Sequence, residues 1–196
     1  MRKIAMLGSG FIGRFYADSI QGYRNRDRIV MIQSRREESC LHFANEYDVA
    51  HWTLDIDHAV SHPDVDTVIV ALPNYLHEEA IHACVKFKKA VLCTKPLGRN
   101  AEEGLRMLNA VEDAGIFNGY LEDLVYTPKF LKSHQIITSG ALGKILWTRS
   151  RETHPGPHSD WFWNKELAGG GAIHDLGCHC IEISRSLSEK IFVLLK

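Results

Sequence analysis

Three glycines near the start of the chain are spaced for holding an anion. Gly8-Ser9-Gly10-Phe11-Ile12-Gly13 follows a short apolar run, Lys3-Ile4-Ala5-Met6-Leu7, and opens an amphipathic segment that continues to Ile20. That order reads as strand, glycine turn and helix. The first glycine permits the tight turn, the second lets a pyrophosphate approach the backbone, and the third lets helix and strand pack closely. The helix start adds free N–H groups and the positive end of the peptide dipoles. Glycine serves any turn, so the pattern alone is weak. Its place between a buried-type strand and a helix is what points to a dinucleotide, with Gly8, Gly10, Phe11, Ile12 and Gly13 as the expected contacts.

A second signal lies about 20 residues further on, where a dinucleotide fold that prefers NAD usually carries an Asp or Glu for the ribose 2′-hydroxyl. Here a strand predicted over Arg28–Gln33 ends instead in Ser34-Arg35-Arg36. A carboxylate would repel a 2′-phosphate, whereas a hydroxyl and guanidinium groups donate to it through charge-assisted bonds. Ser34 and Arg35 therefore favour NADP. If Arg35 and Arg36 are only the solvated first turn of a helix predicted over Glu37–Tyr47, NAD stays possible.

The elements that would position these groups alternate strand and helix. His51 and Trp52 suggest a brief strand, and Thr67-Val68-Ile69-Val70-Ala71 is an apolar run of the kind buried on both faces of a parallel sheet. It leads to Leu72, Pro73 and Asn74, which the rule for open α/β sheets puts beside the ligand. A helix is predicted from Glu78 to about Phe87. His77, just before it, is equally consistent with a backbone contact in the first helical turn and with a cofactor contact. Ala90–Cys93 is the next predicted strand, with Thr94-Lys95-Pro96-Leu97 at its end. A helix from Ala101 to about Ala114 follows, given an apolar face by Leu105, Leu108 and Val111 and closed by Gly115. The fold class implied is α/β, a Rossmann-like doubly wound parallel sheet over about residues 1–120. Residues 121–196 change rhythm and suggest an incomplete α+β domain. A helix is predicted over Pro128–Ser139, a strand by alternation over Lys144–Arg151, and a loop at His154-Pro155-Gly156-Pro157-His158.

Composition narrows the partners. The 23 basic and 24 acidic residues nearly cancel, which argues against nucleic acid or an anionic membrane surface. No apolar run reaches the ~18 residues of a membrane span and no signal peptide is evident, so a cytoplasmic protein is expected. Five cysteines, an odd number, fit reduced thiols better than a disulfide framework.

Taken together, Gly8 to Gly13, Ala71-Leu72-Pro73-Asn74 with His77, Thr94-Lys95-Pro96, and the stretch Gly169-Gly170-Gly171-Ala172-Ile173-His174-Asp175-Leu176-Gly177-Cys178-His179 resemble the Gfo/Idh/MocA oxidoreductase family, in the right order over nearly the whole chain. The resemblance implies a Rossmann N-terminal domain, a nicotinamide cofactor and a sugar, polyol or related carbonyl substrate. The family's lysine-proline motif falls on Lys95 and Pro96, which adds both to the expected cofactor contacts, and its aspartate-histidine pair falls on Asp175 and His179. Thr94 stands where the family usually has glutamate.

Alcohol oxidation of this kind sends a hydride to the nicotinamide and removes a proton from the hydroxyl. The resemblance assigns the proton to His179, orientation of the hydroxyl and support of alkoxide character to Lys95, and a neighbouring substrate hydroxyl to Asp175. Four apart on a helix, Asp175 and His179 would share a face. Gly169 to Gly171 would form a close-approach turn, and Trp161, Phe162 and Trp163 would wall the pocket or enter a core. A zinc site built from His174, Asp175, Cys178, His179 and Cys180 is disfavoured, because adjacent helical positions point in different directions; no metal is expected.

The resemblance also implies a large open sheet beyond the aspartate-histidine helix, one that completes the pocket and often forms a homo-oligomer interface. Lys144–Arg151 is the one strand expected of it, and the apolar ending Ile191-Phe192-Val193-Leu194-Leu195-Lys196 has no evident partner. The expectation is a shortened member whose cofactor domain folds while catalysis by this chain alone is impaired. A dinucleotide-binding protein or remnant without turnover is therefore the alternative to an NADP-dependent oxidoreductase.

Overall fold

The computed structural model describes residues 1–24 and 26–188; the apolar ending that starts at Ile191 lies outside the described residues. The sheet is organised by the alternation in its first strand, β1 (Lys3–Leu7). Ile4 and Met6 face one way, into a cluster with Ala17, Ile29, Ile32 and Phe43. Ala5 and Leu7 face the other way, into a larger cluster with Ala59, Val60, Ala80 and Cys84. A strand covered on both faces has no polar side to show, hence its apolar composition.

Around β1 the chain adds α1 (Phe11–Ala17), β2 (Arg28–Gln33), α2 (Glu37–Tyr47), β3 (His51–Thr53), α3 (Ile56–Ser61), β4 (Thr67–Val70), α4 (His77–Lys86), β5 (Ala90–Thr94), α5 (Ala101–Asp113) and β6 (Asn118–Leu121). All six strands are parallel, in the order β3-β2-β1-β4-β5-β6, with the doubly wound reversal between β1 and β4. Residues of α1 and α2 fill the Phe43 side, and α3, α4 and α5 fill the Cys84 side. Phe43, Met6, Ile29 and Ile32 are each at most 2% exposed; each such side chain contributes about 1.5–3 kcal/mol.

Beyond the sheet come α6 (Pro128–Thr138), α7 (Lys165–Ala168), a π-helical turn at Ile173–Gly177, and α8 (Cys178–Ser188). This part packs differently. None of the residues of α6 is buried, and from 128 to 188 only Ala168, His179 and Ile183 are. Its attachment to the sheet is largely polar: Asn74 Nδ2 donates to the Ala168 carbonyl at 2.8 Å, and Arg99 Nη1 to the Glu166 carbonyl at 2.8 Å. At Gly169, with φ +88°, a Cβ would lie 2.3 Å from the Arg99 carbonyl oxygen, so only glycine allows the chain to close on the sheet there. All five cysteines are free thiols, and among the described residues no helix is long and apolar enough to cross a membrane.

Three readings of the sequence change. Lys144–Arg151 is not a strand: it runs without regular structure, with Leu146 85% and Trp147 76% exposed, because among the described residues no strand lies beside it. Alternation supplies a face, but a ladder needs a partner. On α5, Leu105 and Leu108 are exposed and the buried stripe is Glu103, Met107 and Val111. The acid is accommodated because its carboxylate accepts the Arg99 N–H at 2.7 Å and its Nε–H at 3.0 Å, a pairing hydropathy does not weigh. Three elements, α3, β6 and the four-residue α7, are additional. α3 is only six residues, started by Asp55, whose side chain accepts the His58 N–H. β6 is a weakly patterned Asn-Gly-Tyr-Leu that becomes a strand because the edge of β5 supplies its pairs, Cys93 opposite Tyr120 and Thr94 opposite Leu121.

The closest backbone approach is at Gly13, where a Cβ would sit 2.0 Å from the Gly8 carbonyl oxygen, whereas at Gly22 it would meet nothing within 4 Å. Gly13→Ala is therefore expected to lower stability by about 1–3 kcal/mol, read as a drop in thermal midpoint, with Gly22→Ala close to the parent. Equal midpoints for the two variants would contradict the packing described.

Candidate functional site

A groove of about 1620 Å³ runs along the carboxyl ends of the strands. That exceeds the ~300–1,000 Å³ of a small-ligand pocket and is room for an extended ligand. Its floor is made by the segments that leave β1, β2, β4 and β5: the glycine turn with Gly8, Gly10, Phe11 and Ile12, then Ser34 with Arg35 and Arg36, then Leu72 and Pro73, then Thr94 and Lys95.

At the glycine turn, Gly8 takes φ +104° and a Cβ there would lie 2.3 Å from the Ala71 carbonyl oxygen, while its N–H donates to Gln33 at 2.8 Å. Gly10 is the opposite case. A Cβ there would meet nothing within 4 Å, and no side chain caps the helix that begins after it. The space and the uncapped helix start suit a phosphate group. Gly13 packs the helix on the turn and does not line the groove.

Next to the turn, the Ser9 hydroxyl donates to Ser34 Oγ at 2.8 Å, tying the glycine loop to the end of β2. Arg35 and Arg36 are exposed beside it. The Gln33 side-chain oxygen is buried here without a hydrogen-bond partner among the described residues, an acceptor that a ribose or adenine group could satisfy. Gln33 was not among the residues expected from the sequence, where it reads as the last strand position.

At the far end, Lys95 and Asp175 meet although 80 residues separate them. Lys95 Nζ lies 2.7 Å from Asp175 Oδ1 and 2.8 Å from the Asp175 carbonyl oxygen, and the two side chains are 20% and 16% exposed. Burial works to raise the Asp175 carboxyl, but the hydrogen bond and charge of Lys95, joined by His154, hold it below the ordinary aspartate value. His154 Nε2 is 3.4 Å from Asp175 Oδ2. His154 belongs to the loop through His158, which the sequence marks only as irregular. His158 stacks at 5.1 Å on Phe11, so this loop connects the two ends of the groove.

His179 lines the groove as well, 8% exposed, with Nδ1 at 2.8 Å from Oε1 of the buried Glu122. Asp175 sits in the π-helical turn and His179 in the first turn of α8, and the pair shares the groove face as their spacing suggests. Asp175, expected to face a substrate hydroxyl, lines the groove with Oδ1 on Lys95 and Oδ2 3.4 Å from His154 Nε2. Trp161 stacks on Phe162 at 3.8 Å on the groove wall, while Trp163 is 78% exposed.

Besides Gly13, three expected cofactor contacts lie outside the groove lining. His77 is fully buried, with Nε2 2.9 Å from the Leu72 carbonyl oxygen and Nδ1 3.1 and 3.2 Å from those of Pro96 and Leu97. Burial pushes its imidazole below the usual histidine value. A neutral ring has one N–H, so it donates to the carbonyl on one side only while packing between the loop after β4 and the loop that carries Lys95; these are the backbone contacts left open in the sequence. Asn74, 4% exposed, spends its amide on Ala168. Pro96 faces a separate small cavity with Gly170, Gly171 and Ile173. Of the residues weighed for zinc, His174 Nε2 is 3.0 Å from the Gly98 carbonyl oxygen and Asp175 is held by Lys95, whereas Cys178 and His179 converge with Glu122, one donor atom of each lying within 4.8 Å of the others.

A parallel sheet in this order, with a glycine turn and an ionisable cluster at its carboxyl edge, defines a Rossmann-type nucleotide-binding protein. Residues 2–119 match the model of the Gfo/Idh/MocA oxidoreductases, described as an oxidoreductase family with an NAD-binding Rossmann fold, and residues 130–192 match a Gfo/Idh/MocA C-terminal domain. The chain belongs to the Gfo/Idh/MocA oxidoreductase family. Levoglucosan dehydrogenase of Pseudarthrobacter phenanthrenivorans is 32% identical over 155 residues, 76% of this chain and 39% of the relative. The scyllo-inositol 2-dehydrogenase (NADP(+)) of Bacillus subtilis is 26% identical over 181 residues, 92% of this chain and 50% of the relative. A solved levoglucosan dehydrogenase in complex with NADH and levoglucosan matches with a TM-score of 0.82 at 27% identity, covering 95% of this chain and 53% of that one. The chain spans about half the length, or less, of these relatives.

The Lys95–Asp175 pair yields a pH signature. Asp175 has a folded pKa below the ordinary 3.8, so its contribution to stability is present above that value and lost as pH falls through the lower folded one. Lys95→Met is expected to cost on the order of 1–2 kcal/mol near neutral pH. The gap in thermal midpoint from the parent should close in acid below 3.8. A gap independent of pH would contradict the pairing.

Proposed function

We propose that this chain carries the cofactor-binding and reacting groups of an NADP-dependent oxidoreductase acting on a hydroxyl of a sugar, polyol or related carbonyl compound. The observation that carries the reading is that Lys95, Asp175 and His179 share one groove with the glycine turn. The named activities of the relatives, on levoglucosan and scyllo-inositol, support the substrate class.

Gly8, Gly10, Phe11 and Ile12 would hold the pyrophosphate, and Leu72, Pro73 and Lys95 would border the nicotinamide end. Bound there, the nicotinamide supplies a hydride acceptor or donor at its C4. The protein does the rest. His179 takes the hydroxyl proton, and the Lys95 ammonium donates to the same oxygen as negative charge grows on it. Asp175 fixes that ammonium through Oδ1, while Oδ2, contacted only at 3.4 Å by His154, is the oxygen available to a neighbouring substrate hydroxyl. The Trp161–Phe162 stack offers an apolar wall to a sugar face.

The preference for NADP rests on the end of β2. Ser34 and the exposed Arg35 and Arg36 are donors where a carboxylate would repel a 2′-phosphate. Fluorescence titration should give tighter binding of NADPH than NADH, and Ser34→Asp should shift the ratio toward NADH by about tenfold or more. Unchanged selectivity would refute the 2′-phosphate assignment. A panel of polyols then separates turnover from binding alone: Lys95→Met is expected to spare NADPH binding and abolish hydride transfer, and retained transfer would remove Lys95 from the reaction. Tight NADPH binding by the parent with no change in nicotinamide absorbance on any polyol would favour a binding protein without turnover.

A further inference from the structure

We infer that Glu122 is a positioning residue for His179: its buried carboxylate accepts the Nδ1 proton and so keeps Nε2 as the one ring nitrogen able to take a proton from substrate. The inference rests on the proton-accepting role proposed above for His179.

Glu122 follows directly on β6, and its side chain is 4% exposed against 10% for that of His179. Nδ1 of His179 lies 2.8 Å from Oε1 and 2.6 Å from Oε2. The other donor on this carboxylate is the Leu124 N–H, 3.2 Å from Oε1. Among the described residues no lysine or arginine nitrogen pairs with it; the imidazole is its counterpart. A carboxylate withdrawn from water is costly unless donors reach it. Both donors here bond to Oε1, the ring N–H being the closer, while Oε2 has the charge-pair approach of Nδ1 but no hydrogen-bond partner among the described residues.

The consequence for the ring follows from its chemistry. A neutral imidazole has one N–H and one lone pair, and an acceptor at Nδ1 puts the N–H there and the lone pair on Nε2. The same contact holds the plane of the ring. When Nε2 receives a proton, the positive charge forms beside the Glu122 carboxylate, which stabilises it.

The other titratable groups around this corner do not offer Nδ1 an alternative. Cys178, on the same helix, has a thiol that burial pushes up. Tyr120 on β6 and Tyr16 on α1 are phenols also pushed up, first by burial and then by neighbours that include Glu122; Asp123 and Glu182 are further negative charges nearby. Lys95 and Asp175 are committed to each other. Thr94, where the family usually has glutamate, gives its hydroxyl proton to the Val70 carbonyl at 2.9 Å and brings no charge toward the pair.

The test needs no turnover in its first arm. Histidine-selective 15N labelling of the intact chain, with His179 assigned by its loss in His179→Gln, reports the tautomer at alkaline pH, where imidazoles are neutral. The Nδ1–H form is expected in the parent and its loss in Glu122→Leu, with partial return in Glu122→Asp. A parent ring protonated on Nε2 overturns the inference outright, without recourse to a variant that could fail to fold. In the second arm, Glu122→Leu is expected to lower kcat about 100-fold or more while KM stays within about threefold. An unchanged kcat in the folded variant would equally overturn it. A parent in the Nδ1–H form that transfers no hydride to any polyol would uphold the pairing and place the fault in the proposed function.

Discussion

The contact between Lys95 and Asp175 is the joint on which the site depends. One partner leaves the end of β5 and the other sits in a π-helical turn 80 residues later, and their 2.7 Å ion pair closes the second part of the chain over the strand ends. That part has little apolar surface to hold it. Of residues 128 to 188 only Ala168, His179 and Ile183 are buried, so polar cross-links carry the docking: Asn74 to Ala168, Arg99 to Glu166, and the Glu122–His179 and Lys95–Asp175 pairs. Such links are short-ranged and directional. They fix where an ammonium, a carboxylate and an imidazole point, which is what proton and hydride chemistry requires.

The sheet supplies the opposite kind of stability. Its strands are covered on both sides by apolar clusters, and its close approaches are between backbones, at Gly8 against Ala71 and at Gly13 against Gly8. Gly10 is the open glycine of the three. The groove therefore has a rigid floor at the phosphate end, where the fold tolerates no side chain at Gly8 or Gly13, and an electrostatically held wall at the reacting end. The loop from His154 to His158 spans the two, through Asp175 at one end and Phe11 at the other.

The parts of this arrangement that were legible in the sequence are those set by local pattern. Glycine spacing, apolar strands and helix periodicity are short-range signals, and β1, β2, α2 and the helix after Pro128 follow from them. What depended on a distant partner was not legible. The alternation over residues 144 to 151 is real but has no strand to pair with, while the poorly patterned β6 is paired by β5. Glu103 occupies the buried stripe of α5 because Arg99 meets it. Within the site, the residue types that carry the family resemblance pointed to Lys95, Asp175 and His179, yet not to the way Asp175 is shared between Lys95 and His154. Glu122 reads as one acid among many until the fold brings His179 against it. His77 shows the reverse: a histidine beside the ligand-binding end of a strand turns out to be a buried brace between two loops.

The most direct measurement is a structure of the chain with a bound nicotinamide dinucleotide. The account predicts the pyrophosphate against the backbone at Gly10 and the nicotinamide C4 facing the gap bounded by Lys95 Nζ and the His179 ring, with room for a single hydroxyl-bearing carbon between them. A dinucleotide bound elsewhere on the sheet, or a ring turned away so that neither Lys95 nor His179 reaches the atom next to C4, would contradict it.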